Sequence, residues 1–165
     1  MGYNIYIGNA ELKSSWPDPA DEYSDPPVAE WVVEGMIHAD APYSSDSGHS
    51  NSRDPSYTGW AEFCREVGIE EWMLKRYEGK MGYHPGCSAL TKEDASFLTT
   101  LLNDYKEKHP TEEACWCECS SCQYGKKTDI KHNPNASGTL VRLTWLTWWV
   151  NWAVENCERP AIYNS

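Results

Sequence analysis

The sequence predicts an α+β domain, with a small antiparallel sheet packed against about four helices and a Trp-rich C-terminal helix at their centre. Three observations carry this expectation. Tyr3 to Ile7 alternates as a half-buried strand does, the segments after Asp54 and Thr91 hold apolar residues at helical spacing between start and stop signals, and Leu140 to Asn156 is apolar nearly all round. A chain of 165 residues has the length of one ordinary domain, so residues 1–165 are read as a single domain.

Taken in order, Tyr3, Ile5 and Ile7 share one strand face, and Val28 to Ile37 reads as a second strand that pairs antiparallel with the first. Trp16 to Pro27 between them is a Pro- and Asp-rich connector without period. Residues 39–54 form a long polar loop with almost no core-forming residue, and a loop of this kind inside a short chain is either disordered or held in place because it builds a site. Asp54-Pro55 has the form of an N-cap followed by proline at the first helical position, and Gly68 ends that helix. Ile69 to Tyr77 continues as a short second helix. Thr91-x-x-Asp94 resembles a capping box, Ala95, Leu98, Leu101, Leu102 and Tyr105 form the apolar stripe that follows, and Pro110 stops the helix. Residues 111–136 read as a Cys-rich insertion.

Within the last helix Thr144, Thr147, Asn151 and Glu155 lie three or four apart and so share one narrow face. Two readings stay open for this stripe, a solvated edge or the lining of a pocket. Nine Trp and ten Tyr stand against two Phe, a bias toward side chains that end an apolar body in a polar handle.

The formal charge of −11 opposes the counterion displacement that binding to phosphate backbones requires, which disfavours direct contact with DNA or RNA. The N-terminus carries no basic region followed by an apolar one, and no run of about 18 apolar residues occurs, so neither secretion nor a membrane partner is expected.

Cys115, Cys117, Cys119 and Cys122 crowd into eight residues, and the Cys119-x-x-Cys122 half has the spacing of a zinc knuckle. The second pair of a true zinc module is missing or compressed. A structural zinc, free thiols in a reducing compartment and disulfides all remain open. His84-Pro-Gly-Cys87 reads as a turn between helices that projects His84, without an oxyanion device nearby. No Walker loop, dinucleotide fingerprint, H-E-x-x-H or G-x-S-x-G is present.

The opening Tyr3-Asn-Ile-Tyr-Ile-Gly-Asn-Ala-Glu-Leu12, the loop residues Asp40-Ala-Pro-Tyr43 and Asn51-Ser-Arg-Asp-Pro-Ser-Tyr57, the turn His84-Pro-Gly-Cys87 and the end Trp148-Trp149 with Asn156 to Ser165 resemble a family of small uncharacterised proteins of tailed bacteriophages. The resemblance spans most of the chain but not the cysteine cluster. It implies a phage origin and the host cytoplasm, and it supplies no catalytic residues.

Phage accessory proteins often act against host defence or metabolism, which frames the functional expectation. The expected function is capture of a small anionic, nucleotide-like ligand, such as a host immune signal. Its pocket is expected to form from the loop ending at Arg53, the turn at His84 and the polar stripe of the last helix. Arg53 would hold the anionic group with Asn51 and Ser52, Tyr57 or Trp60 would give a stacking face, and Asn151 would read a polar edge. The alternatives are a nucleotide hydrolase or phosphodiesterase with a His base, and an inhibitor that binds a host protein through an aromatic patch. Because a coherent nucleophile, base and stabiliser are lacking, the residues favour binding over catalysis.

Overall fold

The computed structural model describes residues 1–14, 29–43, 48–114 and 135–165. Among these, five strands, β1 (Ile5–Ser14), β2 (Ala29–Val33), β3 (Ser52–Arg53), β4 (Gly86–Ala89) and β5 (Pro160–Asn164), form one sheet, and four helices accompany it: α1 (Tyr57–Val67), α2 (Glu70–Leu74), α3 (Lys92–Lys108) and α4 (Gly138–Asn156). The α+β architecture is therefore the observed one.

Strand order is β2-β1-β5-β4, antiparallel throughout, with β3 attached to β1. β1 is long enough to take two partners along one edge. Its first residues pair with β3 (Ile5 with Arg53), its last five pair with β2, and its other edge takes β5. The alternation of β1 sets the two faces of the sheet. Ile5 and Ile7 turn inward and are fully buried with Ile162, whereas Ala10, Val33 and Ala161 form a smaller cluster with Tyr6, Cys87 and Tyr163.

Helix α4 occupies the interior, as an all-round apolar sequence requires, with Leu143, Trp145, Leu146, Trp149, Val150 and Ala153 completely buried. Helix α3 packs along it. The Thr91 capping box is present: Thr91 Oγ1 accepts from Asp94 N (3.2 Å), and Asp94 Oδ2 accepts from Thr91 N (2.8 Å). Gly68 ends α1 in the left-handed region at φ 79°, where a side chain would be strained.

Several elements differ from expectation: the second strand and second helix are shorter than read, ending at Val33 and Leu74, and β5 was not anticipated. Helix α1 begins two residues late, with Ser56 as N-cap, because the Pro55 carbonyl accepts from Tyr3 N while Ser56 Oγ accepts from Gly59 N. The turn at His84 leads into a strand, β4, instead of a helix. And the polar loop contributes the strand β3, with a further antiparallel bridge between Ile37 and Ser50.

Asn51 is what anchors that loop. Its side chain is inaccessible to solvent; Oδ1 accepts from Met36 N (2.7 Å), and Nδ2 donates to the Ile7 and Glu34 carbonyls (2.9 Å each). Loss of the amide leaves three backbone groups without this partner, each at a cost of about 1–3 kcal/mol. Asp94 plays a comparable part at the other side of the core, accepting from Trp72 Nε1 (2.8 Å) and pairing with Lys80 Nζ (2.7 Å). Burial alone raises its pKa, but the hydrogen bonds from Lys80, Trp72 and Thr91 outweigh that and hold it below the ordinary carboxylate value.

Two predictions follow from these anchors. Asn51→Ala should lower the unfolding free energy by about 3 kcal/mol or more in denaturant titration. Because the folded pKa of Asp94 is depressed, its contribution is complete above the ordinary aspartate pKa and is lost as pH falls through the folded value. The stability gap between Asp94→Asn and the parent should therefore be widest at neutral pH and should close in acid, below about pH 4.

Candidate functional site

The seven residues expected to line one pocket separate into three groups. Asn51, Ser52, Arg53 and Trp60 belong to the framework. Asn51 has each of its amide groups engaged, Ser52 Oγ meets Ser50 Oγ at 2.9 Å within the loop, and Trp60 is fully buried against Phe63, so it offers no open stacking face. Arg53 is only 7% exposed and lies with its guanidinium 5.5 Å from the centroid of the Trp145 ring. In the register of the sheet it flanks Ile5 from one side as Asn164 does from the other. Arg53 thus makes a buried cation–π contact with Trp145, and it is not among the described residues that line the three cavities given below.

Asn151 belongs to the second group, a groove between α3 and α4. Thr144, Thr147, Asn151 and Glu155 of the polar stripe all line it, together with Trp148 and Trp152 from α4 and Thr99 and Leu102 from α3, around a volume of about 420 Å³. A further hollow of about 520 Å³ shares Asn151 and Glu155 and reaches Lys92 and Ser96 at the start of α3. At 1.5 Å per residue, the span from Thr144 to Glu155 gives a groove roughly 16 Å long.

The hydrogen-bond polarity of its floor is one-sided. Thr99 Oγ1 donates to the Ala95 carbonyl (2.9 Å), Thr144 Oγ1 to Leu140 (2.7 Å) and Thr147 Oγ1 to Leu98 (3.5 Å). Asn151 Nδ2 donates to the Thr147 carbonyl (2.8 Å) and to Thr99 Oγ1 (3.1 Å). A hydroxyl has one hydrogen and an amide two, so these side chains turn only acceptor lone pairs toward the groove, and the Glu155 carboxylate adds two more oxygens. The half-buried rings of Trp148 and Trp152 form the apolar wall. His38 braces both, with ring centroids 5.3 and 5.8 Å away.

Tyr57 and His84 form the third group. Tyr57 Oη lies 3.1 Å from His84 Nε2, and His84 Nδ1 lies 2.6 Å from Asn164 Oδ1. Tyr3 closes the cluster edge-on, 4.6 Å from the Tyr57 ring and 5.2 Å from His84. Burial, followed by Tyr57 and Cys64, raises the Tyr3 pKa and keeps it a neutral phenol.

A third cavity, of about 360 Å³, lies on the outer face of the sheet, where Arg159 stacks 5.3 Å from the Trp31 ring centroid beside Cys87. Its thiol is not an activated one. Burial raises the pKa of Cys87 and Cys157 and pushes Cys64 up to about 12.

The expected zinc ligands Cys115, Cys117, Cys119 and Cys122 lie outside the described residues. Among the described residues no group of three or more His, Cys, Asp or Glu is placed to hold a metal ion, and no helix is long and apolar enough to cross a membrane.

Sequence reasoning missed Trp148 and Trp152 as groove walls, Thr99 as the opposing hydroxyl and Asn164 as the partner of His84. Thr99 does carry a signal, since it interrupts the apolar stripe of α3 one turn after Ala95. Asn164 carries none, because it meets His84 across 80 residues of chain.

Comparison with family models, with curated proteins and with solved structures finds no match.

Arg53→Ala should lower stability by about 2–3 kcal/mol through loss of the buried stem and its contact with Trp145. Thermal or denaturant unfolding measures this.

Proposed function

We propose that the protein captures a small nucleotide-like ligand in the groove between α3 and α4. The observation that carries this reading is the line of acceptors beside two tryptophan rings. A flat heterocycle with an exocyclic amine stacks on Trp148 and Trp152 and donates to Asn151 Oδ1 and the threonine oxygens. Glu155 then meets sugar hydroxyls, which are donors, and the anionic end reaches Lys92 and Ser96 at the first turn of α3, where the helix dipole also favours negative charge. The length of the groove suits a nucleoside monophosphate. Among the described residues that line the groove there is no histidine or thiol to attack such a molecule, which favours sequestration over turnover. In the phage setting that the sequence resemblance implies, the ligand class would include nucleotide signals of host defence.

The reading is tested by tryptophan fluorescence and calorimetry with AMP, adenosine and inorganic phosphate. AMP should bind more tightly than adenosine, and phosphate alone should not register. Asn151→Ala should weaken adenosine and AMP about tenfold, Trp152→Ala should do so tenfold or more, and Lys92→Ala should weaken AMP while sparing adenosine. Recovery of intact AMP by mass spectrometry after heating the complex distinguishes capture from hydrolysis. Absence of quenching by adenosine or AMP at millimolar concentration rejects the proposal.

A further inference from the structure

We propose that Tyr57 is a histidine-activated nucleophile able to accept an acyl group, at a site separate from the α3–α4 groove. The argument begins at Asn164, which is fully buried at the end of β5. Its Nδ2 donates to the carbonyls of Tyr83 (3.0 Å) and Gly86 (3.3 Å), which flank the His84 turn. Those two contacts fix the orientation of the amide, so Oδ1 is the atom that faces His84 Nδ1 at 2.6 Å, and it can only accept. Nδ1 therefore carries the proton of the neutral imidazole. The lone pair is on Nε2, and the Tyr57 hydroxyl at 3.1 Å donates to it.

Direction in this line is set by a buried group and runs toward the surface. A hydroxyl donating to an imidazole whose other nitrogen is held by a fixed acceptor is the arrangement that activates a nucleophile. His84 is exposed, which leaves the dyad open to a reactant, and the edge contacts of Tyr3 hold both rings in place.

The hydrogen bonds and ring contacts described for this cluster involve Tyr3, Tyr57, His84 and Asn164 and no cation, so they favour an uncharged carbonyl over a phosphoryl group. In the step, the Tyr57 oxygen attacks the carbonyl carbon of an ester and its proton passes to His84 Nε2. The bond to the leaving alkoxide or phenoxide then breaks, and the leaving group takes up that proton. The product is an O-acyl tyrosine and a free alcohol or phenol, with no net change of oxidation state.

The full chain is incubated with p-nitrophenyl acetate and followed by release of p-nitrophenolate, intact mass and peptide mapping. One acetyl group per chain on Tyr57 is expected. Tyr77 and Tyr83 are 58% and 57% exposed, more than the half-buried Tyr57, and serve as internal controls that should label at least about tenfold more slowly. His84→Gln should slow labelling of Tyr57 about a hundredfold, the scale of general-base assistance, and Tyr57→Phe should abolish it. Nitrogen-15 chemical shifts of the His84 ring in the unaltered protein supply a readout independent of any variant, with Nδ1 as the protonated nitrogen. Labelling of Tyr77 or Tyr83 at the rate of Tyr57, turnover without label on Tyr57, or a ring protonated at Nε2 instead of Nδ1 overturns the proposal.

Discussion

A helix that is apolar nearly all the way round must be covered on almost every side, and α4 imposes that requirement on the rest of the molecule. The inner face of the sheet supplies Ile5, Ile7 and Ile162, α1 supplies Trp60 and Phe63, and the polar loop closes over Trp145, whose Nε1 donates to the Ser50 carbonyl at 3.0 Å. Helix α3 covers the remaining flank. Cover is incomplete where the polar stripe of α4 meets Thr99, and the groove exists because two of the helix's tryptophans are left half-buried at that seam. The same sequence property thus makes the core and places the candidate ligand site at its margin.

Covering α4 with a polar loop brings backbone groups into the interior, and each needs a partner. Asn51 meets that need for three backbone groups at once. Arg53 continues the pattern by laying a long side chain across Trp145 instead of holding it out toward a solute. The loop between β2 and α1 is therefore a structural clasp in its described part. Residues that look like a binding set on paper, an asparagine, a serine and an arginine before a helix, are here the polar fittings of a core.

The parts of the fold that were legible in the sequence are those decided locally. The Thr91 capping box, the arrest of α1 at Gly68 and the encirclement of α4 depend on near neighbours in the chain, and each is found as read. β4 and β5 were not legible, because a four-residue and a five-residue strand become strands only by pairing with each other and with β1. The start of α1 was misplaced for a related reason: Asp54-Pro55 is a good local start signal, but the bond from Tyr3 N to the Pro55 carbonyl keeps it in extended form. At the site, the stripe on α4 could be read from its spacing, whereas its function as a groove depends on α3 lying opposite. The Tyr57–His84–Asn164 line needed the whole sheet to be assembled before its members could meet.

The position of β5 within the sheet has a temporal consequence. Residues 160–164 sit between β1 and β4, so those two strands are joined in one sheet only after contacts far apart in sequence have formed. Until then β1 presents an unfilled edge next to its apolar inner face, the kind of surface that chaperones hold and that sticks to its own copies. For this protein one short strand, β5, is the piece whose arrival joins β1 to β4 and closes the sheet.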